Sequence, residues 1–273
     1  MIIWLASYPK SGNTWLRSFL VNYINKRTSN FDLNLVEQIQ KFPDPKFFDE
    51  FNVNFNKFSE IVKNWINMQE LINLKNKFTY LKTHNAMCTI NNYPFTNKLN
   101  TIGFIYLVRD PRDVVLSYSH HLNKSIEFTF NIMKQNSFGE VAYQGNLISE
   151  VMMGSWAEHY KSWKNYSSVE KIIIKYEDLV LNPYETFFKI INYLNKINGL
   201  IIDEEMIKIS MHNTSFNKLR DLEKKDGFKE MWSESGIFFR KGKSGNWKNY
   251  LDKKIISQIE QTFKKEMKEL GYL

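Results

Sequence analysis

Apolar residues in this chain fall into short unbroken runs separated by longer stretches in which they recur every three or four positions. The first run, Ile2-Ile3-Trp4-Leu5-Ala6, breaks at Tyr8-Pro9 and Ser11-Gly12, and an apolar-periodic stretch follows from Thr14 to about Ile24. That order reads as strand, turn, helix. Phe58, Ile61, Val62, Trp65, Met68, Leu71 and Ile72 predict an amphipathic helix over about 57–76. A second strand, Phe78-Thr79-Tyr80-Leu81, ends in Lys82-Thr83-His84, and a third, Gly103 to Val108, ends at Arg109. Pro111 suits the first turn of a helix that carries Val114, Val115 and Tyr118, with Asp110 as its N-cap. Ile172-Ile173-Ile174 is a fourth buried strand, followed by Asn182-Pro183 and a helix over about 184–195. Near-continuous apolar strands alternating with helices predict an α/β fold, a P-loop-like parallel sheet flanked by helices on both faces. In such a sheet the ligand lies at the carboxyl ends of the strands.

Composition narrows the class. With 273 residues, 43% of them hydrophobic, one large domain over 1–273 is expected, and a disordered or collagen-like chain is excluded. The single cysteine, Cys88, rules out an internal disulfide and a cysteine-based zinc site, so a reducing compartment is expected. No apolar run approaches the roughly 18–20 residues of a membrane span, and the start, Met1–Trp4, has no basic leader before a long apolar stretch, so no signal peptide is expected and the reading is soluble and cytoplasmic. The net charge of +8 points to a polyanionic partner without choosing among nucleic acid, membrane and a phosphorylated small molecule. The 31 Lys stand beside 30 Asn, a pattern AT-rich coding produces unaided. The 6 Arg are more telling, because three of them, Arg109, Arg112 and Arg240, fall within polar motifs and a fourth, Arg17, lies two residues past another.

The first motif, Tyr8-Pro9-Lys10-Ser11-Gly12-Asn13-Thr14-Trp15, occupies a strand-to-helix turn, where backbone N–H groups and a helix N-terminus attract an anion. The lysine precedes the glycine by two residues, so this is not the G-x-x-x-x-G-K-[ST] loop of nucleoside triphosphatases. Taken alone, the segment also reads as an ordinary Pro/Gly turn. The second motif, Arg109 through Ser117, sets a guanidinium at a strand end and a hydroxyl two helical turns on, suited to gripping one phosphate together. Arg112 and Asp113 read as a solvated first turn. The third, Arg240-Lys241-Gly242-Lys243-Ser244-Gly245-Asn246-Trp247-Lys248, pairs two cations with glycines that permit close backbone approach, or is a basic surface loop.

Together these segments resemble the cytosolic-type sulfotransferase family, which uses 3′-phosphoadenosine 5′-phosphosulfate (PAPS), over residues 2 to about 250. Asn13 stands where the family more often has Thr, and Asn246 where it has Asp. The resemblance implies that Lys10, Ser11, Gly12, Asn13 and Thr14 hold the 5′-phosphosulfate, and that Arg109, Ser117, Arg240, Lys241 and Gly242 hold the 3′-phosphate. Trp15, Tyr176 and Thr214-Ser215-Phe216 would bind adenine, although Tyr176 and Phe216 are equally well placed as core aromatics by sequence alone. It further implies that Lys82-Thr83-His84 carries the catalytic base. A histidine titrating near neutrality suits removal of an acceptor hydroxyl proton, and lysines suit the charge that grows on the leaving phosphate. The catalytic set is therefore His84, Lys10, Lys82 and Ser117, with no metal, and His120 and His121 are left as surface or acceptor-side residues.

Two other readings stay open. A P-loop nucleoside or small-molecule kinase would share the fold but lacks the Gly-Lys-Thr order. A noncatalytic nucleotide- or nucleic-acid-binding protein would use the charge, but basic residues are dispersed and no nucleic-acid motif appears. Segments 31–76, 121–155 and 221–239, rich in Phe, Trp and Met, are expected to build a pocket and lid for a small hydroxylated acceptor. The family's dimerisation motif is not matched after Lys248, which is followed by Asn249-Tyr250-Leu251-Asp252.

Overall fold

The computed structural model describes residues 1–273 apart from 30, 49–52, 55, 56, 76, 137–150, 229 and 231–236. In chain order the strands are β1 (Ile2–Ser7), β2 (Thr79–Thr83), β3 (Thr89–Ile90), β4 (Tyr93–Pro94), β5 (Thr101–Val108) and β6 (Glu170–Lys175). Four form the central sheet in the order β2-β1-β5-β6, while β3 and β4 make a small antiparallel pair. β1 and β2 run parallel, from Ile2 opposite Thr79 to Ala6 opposite Thr83. Every residue of β1 is buried, the signature of an inner strand covered on both faces. β6 stands at the sheet edge and is correspondingly half-exposed.

All four apolar runs thus become strands, each one or two residues longer than its most apolar stretch in at least one direction. The helices Asn13–Ile24, Phe58–Lys75, Pro111–Leu122 and Pro183–Asn198 coincide with the periodic segments. Asp110 caps the third as expected, its carboxylate accepting from the Arg112 N–H at 2.9 Å, with Pro111 in the first turn. Among the described residues, no helix is long and apolar enough to cross a membrane.

The chain divides into two compact units interleaved along the sequence. The first comprises Met1–Tyr8, Gln40–Tyr106 and Asn131–Ile173, and the second Pro9–Ile39, Leu107–Phe130 and Ile174–Leu273. β1 and β2 lie wholly in the first, whereas β5 and β6 begin there and finish in the second. Within the first unit the fully buried Trp4 packs on Phe42 and Phe95, ring centroids 5.4 and 5.0 Å away, and its indole N–H donates to Thr101 Oγ1. Truncating such a tryptophan to alanine typically costs about 3–5 kcal/mol. Within the second, Phe19 stacks on Phe187 at 3.8 Å, and buried Asn22 donates to Ser210 Oγ.

Candidate active site

β1 leads directly into the Pro9–Trp15 loop. Lys10 takes a left-handed φ of 66°, strain of about 1–2 kcal/mol for a residue with a Cβ, and Gly12 takes 97°. Only glycine fits at Gly12, because a Cβ there would lie 2.6 Å from the Tyr176 ring. The helix Asn13–Ile24 starts with no side-chain cap hydrogen bond among the described residues and no acidic residue of its own in the first turn, although the Glu230 carboxylate accepts from the Thr14 hydroxyl there at 3.5 Å. Along the loop, the buried Ser11 Oγ and Trp15 Nε1 have no hydrogen-bond partner among the described residues. A buried donor left unmade costs about 1–3 kcal/mol, and an anionic, hydrogen-bonding ligand removes that cost.

Arg109, just past β5, ties this loop to the carboxy-terminal motif. Its Nη1 donates to the Lys10 carbonyl at 3.0 Å and its Nη2 to the Lys243 carbonyl at 3.2 Å. Its guanidinium lies 4.2 Å above the Tyr176 ring, and its Nε is buried with no partner among the described residues. Burial lowers the affinity of Arg240 for its proton, Tyr250 opposes that, and the Arg109 charge adds to the lowering. His120 is held below the ordinary histidine range first by burial and then by Arg240 and Lys241. The fold therefore gathers Arg109, Arg240 and Lys241 into one mutually repelling group of cations beside His120, which an anion would stabilise. Ser117 sits half-buried on the helix Pro111–Leu122 that carries His120.

The expectation of a solvated first turn at Arg112 and Asp113 is wrong, since they are 5% and 2% exposed. Arg112 pairs with Asp110 at 2.7 Å and with Glu260 at 2.5 Å, donates to the Tyr272 carbonyl, and stacks 3.8 Å over Trp247. Asp113 accepts from the Gly245 N–H at 2.6 Å and the Trp247 N–H at 3.0 Å. Burial raises its pKa, against Arg109 and those two N–H groups. These charges face inward because the carboxy-terminal segment folds over them.

Arg17 likewise turns inward, donating to the Val36 and Ile39 carbonyls and pairing with Glu230 at 2.6 Å. It braces the helix rather than reaching a ligand. Trp15 meets Tyr176 and Phe187 edge-on at 6.2 and 5.8 Å. Tyr176 is 6% exposed between Gly12 and Arg109, so its ring is a floor under the loop. Thr214 is fully buried, its hydroxyl donating to the Ser210 carbonyl, and Ser215 precedes the helix Phe216–Asp226. The Phe216 ring presses on Gly242, where a Cβ would meet it at 2.3 Å. Lys10 Nζ lies 4.2 Å from the Phe238 ring centroid.

Lys82 and His84 belong to the first unit. Lys82 is held on β2 by its N–H to the Gln40 carbonyl and by its carbonyl from the Phe42 N–H, both at 2.8 Å. His84 Nδ1 lies 2.7 Å from the Ser7 carbonyl and 3.4 Å from the Ser7 hydroxyl. A carbonyl only accepts, so Nδ1 carries the proton and Nε2 carries the lone pair, the tautomer a base needs. The His84 carbonyl accepts from Nε2 of fully buried His159 at 3.0 Å, and His159 Nδ1 accepts from the Tyr106 hydroxyl at 2.8 Å. Burial pushes the His159 pKa down to about 4, so it stays neutral. Asn85, next in the chain, is locked by the Met152 N–H and the Trp163 indole.

His159, Asp113 and Arg112 are the residues that sequence reasoning missed. A lone histidine among Trp156, Ala157, Tyr160 and Trp163 carries no local signal beyond its place on the helix Trp156–Asn165. Of the expected acceptor-pocket segments, 49–52, 55, 56, 76, 137–150, 229 and 231–236 lie outside the described residues. Among the described residues, no group of three or more His, Cys, Asp or Glu is arranged to hold a metal.

Solved structures with a similar fold include retinol dehydratase in complex with androsterone and the inactive cofactor PAP, at a TM-score of 0.63 and 21% identity, covering 98% of this chain and 80% of that one. Mouse sulfotransferase SULT7A1 complexed with PAP is similar at a TM-score of 0.60 and 21% identity, covering 98% and 84%. In sequence, the chain is 28% identical to sulfotransferase 1B1 of Mus musculus over 269 residues, 96% of this chain and 81% of that protein. It is 27% identical to flavonol 3-sulfotransferase of Flaveria bidentis over 284 residues, 98% of this chain and 82% of that protein. The family model for the sulfotransferase domain matches residues 2–271, and the chain belongs to that family.

Proposed function

We propose that this protein transfers the sulfuryl group of PAPS to a hydroxyl of a small apolar acceptor, with His84 as the general base. The observation that carries the nucleotide part is the set of donors lacking acceptors among the described residues, Ser11 Oγ, Trp15 Nε1 and Arg109 Nε, beside the repelling cations Arg109, Arg240 and Lys241. These residues fit a ligand with two separate anionic groups. Lys10, Ser11, Gly12, Asn13 and Thr14 would hold the 5′-phosphosulfate, and Arg109, Ser117, Arg240, Lys241 and the Gly242 backbone the 3′-phosphate. Trp15 would face the adenine, with Thr214, Ser215 and Phe216 on its other side and Tyr176 beneath the loop. PAPS supplies an activated sulfuryl group, whose transfer loads negative charge on the phosphate left behind. Lys10 and Lys82 would meet that charge, and His84 Nε2 would take the acceptor proton while the Ser7 carbonyl steadies the imidazolium through Nδ1.

The family membership sets the kinase and binding-only readings aside. The androsterone and retinol held in complexes of retinol dehydratase, whose fold is similar, favour an apolar hydroxylated acceptor. Calorimetry tests the assignment: 3′-phosphoadenosine 5′-phosphate (PAP) is expected to bind at least about tenfold more tightly than AMP, because the 3′ cations otherwise lack their anion. Equal binding of PAP and AMP, or a preference for ATP, would sink it.

A further inference from the structure

We propose that Asp113 is a positioning residue for the 3′-phosphate site, clamping the Arg240–Lys248 loop so that Arg240 and Lys241 are presented to the phosphate. This rests on the reading of Arg240 and Lys241 as 3′-phosphate ligands. The two oxygens of Asp113 are each spent on a backbone N–H of that loop: Oδ2 takes Gly245 at 2.6 Å and Oδ1 takes Trp247 at 3.0 Å. The carboxylate is 2% exposed, so water does not compete for it. The loop backbone is of the kind that needs such a clamp. Gly242 and Gly245 both take left-handed φ, 58° and 75°, in a segment whose only regular structure is the short helix Trp247–Tyr250.

The neighbours of Asp113 hold the same loop. Arg112 lies 3.8 Å over the Trp247 ring and is itself fixed by Asp110 and Glu260, and Arg109 donates to the Lys243 carbonyl. Three consecutive contacts, at Lys243, Gly245 and Trp247, thus come from one turn of chain, Arg109 to Asp113. The motif that contributes Arg109 and Ser117 to the phosphate also sets the position of the other two cations.

A positioning role and a purely electrostatic one make opposite forecasts for Asp113→Asn. Removing a negative charge beside a phosphate site would by itself tighten PAP binding. Breaking the clamp weakens it, because the asparagine amide turns a donor toward one of the two N–H groups. The expected result is that Asp113→Asn lowers PAP affinity about tenfold and leaves AMP affinity within about twofold, with Arg240→Ala as the control. Loss of the PAP-over-AMP preference in both variants supports the proposal. Loss in Arg240→Ala alone overturns it and leaves the phosphate reading standing. Retention in both removes the phosphate reading and the proposal with it. Equal weakening of PAP and AMP by Asp113→Asn, or tighter PAP binding, also overturns it. Should the variant fail to fold, amide hydrogen exchange in the wild-type protein decides: Gly245 and Trp247 N–H groups are expected to be protected at least tenfold over Ser244, and exchange at the same rate as Ser244 would overturn the clamp.

Discussion

At the scale of single residues, the role proposed for His84 hangs on which ring nitrogen carries its proton. The Ser7 carbonyl at 2.7 Å leaves one neutral tautomer, and the His159 bond to the His84 carbonyl fixes the backbone from which the ring projects. A general base of this kind contributes about 10²–10⁴-fold, so His84→Ala is expected to lose at least about 10²-fold in single-turnover sulfation at saturating PAPS, with PAP affinity unchanged. The acid limb of the pH–rate profile should disappear with it, since only neutral imidazole accepts the proton. A folded variant with near wild-type turnover would return His84 to a strand-end hydrogen-bonding role. Lys82-Thr83-His84 was legible in the sequence because it ends a strand. His159 was not, because its partners Tyr106 and the His84 carbonyl lie 53 and 75 positions away.

At the scale of elements, the helix Asn13–Ile24 begins without the side-chain cap that four of its fellows carry. The helices Pro111–Leu122, Trp156–Asn165, Glu204–Asn213 and Lys253–Thr262 each begin with an Asp or Ser side chain accepting a first-turn N–H. Gly12 provides no such cap, and its left-handed backbone lets Tyr176 close under the loop. Gly12→Ala is therefore expected to destabilise the protein by about 2–4 kcal/mol in urea unfolding, combining left-handed strain with displacement of the ring. Gly199→Ala, at φ 75° with nothing within 4 Å of its added methyl, should cost about 1–2 kcal/mol. Equal losses at the two sites would show that the Tyr176 contact is unimportant. The turn and the Asp110 cap were readable locally, because each acts within four residues of itself, whereas the Tyr176 ring that Gly12 accommodates lies far along the chain.

At the scale of the whole molecule, stability is linked to pH through His159. Its folded pKa, about 4, lies below the ordinary 6.5, so the folded state binds fewer protons than the unfolded one between those values. Its contribution is accordingly complete above about pH 6.5 and is lost as pH falls toward 4, with a maximum loss of about 3 kcal/mol. Unfolding free energy measured against pH should fall less steeply over that window in His159→Gln than in the wild type, and parallel curves would mean that His159 takes up its proton without unfolding the chain. What the sequence determined by itself was whatever depends on near neighbours: strand and helix periodicity, the Pro9–Trp15 turn and the Asp110 cap. The tertiary structure decided which charges face inward. Arg17, Arg112 and Asp113 sit on helix turns that look solvated in one dimension, and they are buried because segments between about 20 and 210 residues away supply their carbonyls, carboxylates and N–H groups. A buried charge is stable only with such partners. Those partners meet it through long-range chain closure, which no local pattern encodes.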